Sequence, residues 1–442
     1  MRATPILAVL LINLAMPCAF ALEGDVDPAF GTGGQWVMPR PNDVSSGEKQ
    51  PGDVVVLGDG RFLWSAPLDD DTILIGRSGR NGAPDVAFGG DGTGRITLPI
   101  CGENYRPSRM IGDGASGVIV WSDRCLRHVD ADGSVDSAFG AGSMPPSSFL
   151  AADLARDPSG RLLLAGRDGP LGEVYRFNED GALDETFGTA GKVVLVAAEG
   201  SWSSVNALAI RPDGRILVGG SGGAGNDSNL FVVQLQPDGL PDPGWDEDGS
   251  AVLVPPTGFH TLQADALAID SDGSVVVSGM GNNGMSSCCI LLTRLDATGH
   301  VVADFGVRLF ELSGNTSFSG FGEQRGDVVI LPNHRIIIGT HSFPTGSPLK
   351  NHRTQYTLVR TFADGHLDSE FGHDGWNSYT IVESEGASPA GDYNQLHAIG
   401  YDADDDSMLI LGRTFFEESG SDVQYVSMVR ARFDLVFDDA FE

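Results

Sequence analysis

Lysine is almost absent from this 442-residue chain, being confined to Lys49, Lys192 and Lys350. Positive charge of any kind is scarce, with 28 Lys and Arg against 60 Asp and Glu and a formal net charge of −32. No basic run lines up into a groove, and so acidic a surface repels polyanions, which argues against nucleic acid and anionic lipid as partners. Long apolar runs are missing too: nothing after the first 21 residues approaches the roughly 20 apolar residues of a spanning helix. Cysteine is limited to five, and no Cys-x-x-Cys or His-x-x-x-His pair offers a zinc site.

What the chain has in quantity is glycine, 60 residues, and with it a phrase that returns eight times: Asp-x-x-aromatic, usually followed by Gly. It reads Asp27-Pro28-Ala29-Phe30-Gly31, then Asp85 to Gly89, Asp136 to Gly140 and Asp184 to Gly188. A Trp245 variant, Phe305-Gly306, Asp368 to Gly372 and a truncated Asp438-Asp439-Ala440-Phe441 complete the series. The fourth interval shows what lies between copies. Val205 to Ile210 is apolar, Arg211-Pro212-Asp213-Gly214 turns, and Arg215 to Gly219 is apolar again. Asn229 to Gln236 follows, Pro237-Asp238-Gly239 turns once more, and Ser250 to Val254 ends the interval. β-Branched runs punctuated by Asp-Gly predict a four-stranded antiparallel meander, since such turns require the positive φ that Gly and Asp tolerate. Seven meanders at this period predict an all-β, seven-bladed propeller. The chain opens with a fourth-strand phrase, Asp27 to Met38, and ends with three strands, so the N-terminal strand is expected to complete the last blade and leave no open edge.

The extreme N-terminus carries Arg2, an apolar run from Ile6 to Ala15, and Ala19-Phe20-Ala21 as a small-residue cleavage site. This predicts a signal peptide over residues 1–21 and a single mature domain over 22–442, secreted or periplasmic. Removing Arg2 takes the formal charge from −32 to −33. Pro17 speaks against lipidation of Cys18.

Two stretches carry a resemblance. Ala207-Leu208-Ala209-Ile210-Arg211-Pro212-Asp213-Gly214-Arg215-Ile216-Leu217-Val218-Gly219-Gly220 is similar to the first half of the bacterial delta-60 repeat unit. Phe177-Asn178-Glu179-Asp180-Gly181-Ala182-Leu183-Asp184-Glu185-Thr186-Phe187-Gly188-Thr189-Ala190-Gly191 is similar to the second half. The resemblance implies an exported, propeller-like repeat protein and brings no catalytic residue with it. The tail Val436 to Glu442 also resembles a short C-terminal signature of exported proteins in Gram-negative bacteria.

The tight first and third turns of each meander lie on one edge, while the irregular second turns and crossovers lie on the other. A binding site is expected on that looser edge, because recognition residues concentrate on loops carried by a rigid scaffold. Its candidates are Trp202, His260, His341, Lys350, His352, Arg353, Asp392 and Tyr393. His341 to Arg353 reads as a locally basic lip over an acidic body, suited to an anionic group on a glycan or protein ligand. The aromatics suit stacking on sugar. Four cysteines remain after the signal, and Cys101 and Cys125, both on the loop edge, are the expected disulfide. Adjacent Cys288 and Cys289 point to opposite faces of a strand.

No cofactor is expected. Paired carboxylates at Asp130/Asp132, Asp246/Asp248 and Asp270/Asp272 suggest calcium, but each pair flanks a turn glycine without the later acid of a calcium loop. No Gly-x-Ser-x-Gly elbow stands between a strand and a helix, and the Asp box Ser-x-Asp-x-Gly-x-Thr-Trp does not occur. The sequence reading is therefore a monomeric, non-catalytic binding or surface-associated propeller. The alternative is a carbohydrate-active or other hydrolytic propeller with its site at the channel mouth.

Overall fold

Asp213-Gly214 turns with Gly214 at φ +85°, a conformation open to glycine at no steric cost, and brings Ile210 opposite Ile216. The worn turns bend the same way without glycine, with His334 at φ +63° and Asp406 at φ +51°. The computed structural model describes residues 23–38, 51–69, 71–101, 108–122, 124–140, 142, 144–195, 202–223, 227–283, 287–310, 327–342, 354–381, 393–418 and 421–433. The expected signal segment and the tail 434–442 lie outside them.

These residues form seven four-stranded antiparallel sheets. Blade 1 is Val54–Val56, Phe62–Pro67, Thr72–Ser78 and Arg95–Pro99. Blade 2 is Arg109–Gly112, Val118–Ser122, Cys125–Val129 and Val135–Asp136. Blade 3 is Phe149–Arg156, Leu162–Asp168, Leu171–Phe177 and Lys192–Leu195. Blade 4 is Trp202–Ile210, Ile216–Gly223, Asn229–Leu235 and Ser250–Leu253. Blade 5 is Thr261–Ile269, Val275–Asn282, Ser287–Leu295 and Val307–Phe310, and blade 6 is Val328–Ile330, Ile336–Ser342, Gln355–Thr361 and Trp376–Tyr379. Blade 7 takes Tyr393–Asp402, Ser407–Glu418 and Ser421–Arg432 from the C-terminal part of the chain, and Gln35–Val37 from its beginning as the outer strand. The register is Gln35↔Val429, Trp36↔Met428 and Val37↔Ser427.

Apolar burial runs between blades rather than within them. One buried cluster joins Phe88 and Ile75 of blade 1 to Val118 and Val120 of blade 2, and another joins Leu217 and Trp245 of blade 4 to Leu262 and Val277 of blade 5. A single sheet has two apolar faces, so the fold closes only when each blade is covered on both sides. The repeated phrase locks each seam on the tight-turn edge. Its aromatic is buried, as at Phe30, Phe88, Phe187, Trp245 and Phe371. Its glycine amide donates into the next blade: Gly89 to the Asp132 carbonyl, Gly140 to Asp180 and Gly188 to Asp238. Gly31 does the same to Asn81 across the closing seam.

The first strand of every blade lines the central channel. In blades 3, 4, 5 and 7 this strand slips register against the second, leaving Ala152, Asn206, Asp265 and His397 as extra residues. A β-bulge at a fixed height re-aims its side chain and tightens the local twist.

Candidate functional site in the central channel

Seven inner strands converge on a cavity of about 250 Å³ whose wall includes Asp53, Arg109, Asp153, Asp265, Asp327 and His397. Three of the acids span seams. Asp53 accepts the Val54 amide at 2.9 Å on one oxygen and the Met110 amide of blade 2 at 3.2 Å on the other. Asp153 accepts Leu154 at 2.9 Å and Leu208 of blade 4 at 2.7 Å, and Asp327 accepts Ile399 of blade 7 at 2.9 Å. Other side chains at this level do the same with different chemistry. Arg109 donates from Nε to the Ala152 carbonyl at 2.8 Å, and Asn206 donates from Nδ2 to the Ala264 carbonyl at 3.0 Å. Asp265 accepts from Gln263 within its own strand.

His397 differs from its neighbours. Its Nε2 is buried and makes no hydrogen bond. Burial, with Arg413, Arg109 and His341 nearby, holds its pKa well below the usual histidine value. At neutral pH it is therefore an uncharged ring on an acceptor-rich wall. A carboxylate offers about four lone-pair sites on its two oxygens, and backbone amides fix the orientation in which Asp53 and Asp153 present theirs.

The residues singled out from the sequence are not gathered in one place. His341 is not on a lip: it lies in the second strand of blade 6 opposite Tyr356 and is 6% exposed. Burial, helped by repulsion from Arg413, pushes its pKa down to about 4. The apolar run Ile336 to Ile338 carries the strand past Gly339, so what reads as the start of a loop is still sheet. His260 is on the looser edge, exposed, with Nδ1 3.0 Å from Asp227 Oδ1 between blades 4 and 5. Trp202 and Tyr393 open the inner strands of blades 4 and 7. Lys350, His352, Arg353 and Asp392 lie outside the described residues.

Cys101 and Cys125 are bonded, with Cα atoms 5.7 Å apart, and Cys289 is buried in the third strand of blade 5 opposite Gly281. The acids weighed for calcium serve turns: Asp132 accepts the Ser134 amide at 2.8 Å, Asp248 that of Ser250 at 2.9 Å and Asp272 that of Ser274 at 2.8 Å. Among the described residues no group of three or more His, Cys, Asp and Glu is arranged to hold a metal ion, and no helix is long and apolar enough to cross a membrane.

Sequence reasoning missed the channel ring, although part of its signal is visible. Asp53, Asp153 and Asp327 each stand four residues before the residue that starts the first turn, namely Leu57, Asp157 and Leu331. Arg109 holds the same place before Asp113 and His397 a neighbouring place in its own repeat, and nothing in the sequence says that these places meet.

Residues 158–187 and 211–244, in blades 3 and 4, match the family model described as a domain of unknown function (DUF5122) beta-propeller. No curated protein matches the chain. Among solved structures it is similar to a gluconolactonase from Xanthomonas campestris at 14% identity, TM-score 0.38, over 73% of this chain and 86% of that one. It is also similar to a calcium-binding regucalcin from Agrobacterium tumefaciens at 16% identity, TM-score 0.34, over 68% and 83%. A third likeness is to the polysaccharide lyase Uly1 at 10% identity, TM-score 0.47, over 93% and 97%. The seven sheets and the two matched stretches support one conclusion about kinship, that the chain is a repeat protein of β-propeller type.

Proposed function

We propose that this protein is an exported, non-catalytic binding propeller whose channel receives the hydroxyl-bearing end of a glycan. One observation carries the reading: Asp53, Asp153, Asp265, Asp327 and the uncharged His397 line one small cavity, with Arg109 the cation among them. Four carboxylates and a neutral imidazole, able to accept or donate at Nε2 according to its tautomer, complement a ligand rich in hydroxyls. A cavity below the roughly 300–1,000 Å³ of drug-sized sites suits a single sugar ring rather than a large apolar molecule. The bonds from Asp53 and Asp153 to backbone amides of two blades favour binding over catalysis, because they fix the orientation of each carboxylate and commit it to the seam it spans. A disulfide at Cys101 and Cys125 is compatible with the periplasm or the exterior.

The test is calorimetric titration of the mature protein with neutral oligosaccharides, alongside Asp265→Leu and His397→Phe. The expected result is saturable binding that weakens at least about tenfold in either variant, the scale of one lost charged or buried hydrogen bond. Absence of binding across the panel, or binding that both variants retain in full, overturns the reading. Release of new reducing ends by the wild type would replace it with the hydrolytic alternative.

A further inference from the structure

Blade 2 departs from its neighbours where the disulfide lies. Its outer strand is only Val135–Asp136 and pairs with His128 and Val129 alone. Among the described residues no fourth strand covers Cys125 to Arg127, a stretch that the outer strands of blades 1 and 3 to 7 cover in their own sheets. Cys101, arriving from the end of blade 1, is bonded to Cys125 at this edge. Cys101 is exposed and Cys125 half-buried.

A cation faces both sulfurs. Arg127 is two residues beyond Cys125 and so projects from the same side of the strand. One terminal nitrogen donates to the Pro99 carbonyl. The other lies 2.9 Å from Cys101 Sγ and 3.6 Å from Cys125 Sγ. A neutral disulfide is a weak acceptor and gains little from this contact, but a thiolate formed at either sulfur would meet a fixed positive charge. An adjacent Arg lowers the pKa of a thiol, and a better leaving thiolate departs faster in exchange.

We propose that Cys101–Cys125 is an exchange site for external thiols rather than a fixed brace. A thiolate R–S⁻ attacks the exposed Cys101 Sγ; the new S–S bond forms as the Cys101–Cys125 bond breaks, and the electron pair leaves on Cys125 Sγ beside Arg127. A monothiol stops there as a mixed disulfide on Cys101. A second thiolate, or the second arm of a dithiol, attacks the sulfur of the external group and releases the Cys101 thiolate against Arg127. The sum is two electrons and two protons from two external thiols, which leave as their own disulfide, to two protein thiols.

The test uses the folded mature protein at pH 7 with excess dithiothreitol, quenched in acid, alkylated and weighed intact. The wild type is expected to lose the disulfide at temperatures well below unfolding. Arg127→Met, which keeps the stem without the charge, should react roughly tenfold more slowly, and Arg127→Lys should recover part of the rate. In the reduced wild type, Cys101 should alkylate with a midpoint below the ordinary thiol value of about 8.5. Equal rates for the wild type and a folded Arg127→Met protein overturn the proposal, as does a disulfide that opens only when the chain unfolds. Should Arg127→Met not fold, the alkylation profile decides: an ordinary midpoint near 8.5 overturns the proposal and a lower one supports it.

Discussion

Arg176 and Asp184 meet at 2.8 Å in blade 3, and Phe187, three residues past the acid, lies with its ring centre 4.5 Å from the same guanidinium. Blade 1 repeats the arrangement with Arg77, Asp85 and Phe88, and blade 6 with Arg360, Asp368 and Phe371. Arg176 also donates to the Pro237 carbonyl of blade 4. One side chain thus ties the third strand of its own blade, the recurrent phrase and the next blade together. Blade 4 keeps the geometry with a different donor: Gln234 bonds Asp242 at 2.7 Å, and Arg211 lies over Trp245 at 5.4 Å.

Arg176→Met is expected to destabilise the fold by about 3–5 kcal/mol, since it leaves buried Asp184 without its counter-charge. Urea unfolding followed by fluorescence checks this. Arg176→Met with Asp184→Leu should cost less than the single change, and a double mutant as unstable as the sum would show that the pair acts through packing alone.

Asp153→Ala removes an acceptor from two backbone amides, those of Leu154 and Leu208. The expected cost is about 2–4 kcal/mol, one to two buried hydrogen bonds. Amide exchange should show faster opening at the seam of blades 3 and 4 than at the seam of blades 5 and 6.

His341 is kept neutral by burial, with a pKa pushed down to about 4. The unfolded chain takes up a proton near pH 6.5 while the folded one does not, so stability is full above about 6.5 and declines as pH falls toward 4. The slope contributed by this side chain is about 1.4 kcal/mol per pH unit in that window. Urea titrations at pH 7.5, 6 and 5 measure it, and His341→Gln should flatten the dependence.

Gly24 places its carbonyl 2.7 Å from Tyr379 Oη and 2.7 Å from Asn377 Nδ2, both in blade 6, while Glu23 pairs with buried Arg360. Phe30→Ala, in the same segment, is expected to cost about 3–5 kcal/mol by opening a cavity between blades 7 and 1. Deleting residues 23–38 should expose the edge of Ser421–Arg432 and cause self-association, read by size-exclusion chromatography.

Much of the frame was legible because local chemistry dictates it. Asp-Gly turns, β-branched strands and the buried aromatic of each phrase are short-range features, and the closure by Gln35–Val37 follows from counting strands. The arginine that completes the phrase in blades 1, 3 and 6 was readable in principle, since Arg77, Arg176 and Arg360 each stand eight residues before their acid, a spacing set by one turn between third strand and phrase. The channel was not readable. His397 and Arg109 come from strands nearly 300 residues apart in a ring whose neighbours are fixed only by closure, and no periodicity within one repeat reports what its inner strand will face. His341 was misplaced for a smaller reason, because a polar residue after Gly339 looks like a loop when it is the continuation of a buried strand.

The pairing of Trp36 with Met428 also sets an order of events in time. A ribosome makes the outer strand of blade 7 before every other described strand and its partner after all of them, so the seam between blades 7 and 1 cannot form until Ser421–Arg432 has been made. Until then Phe30 and Trp36 have no sheet to enter, and the ring remains open. Contacts of such sequence separation form late and slowly, so the ring closes last on the earliest of its described strands.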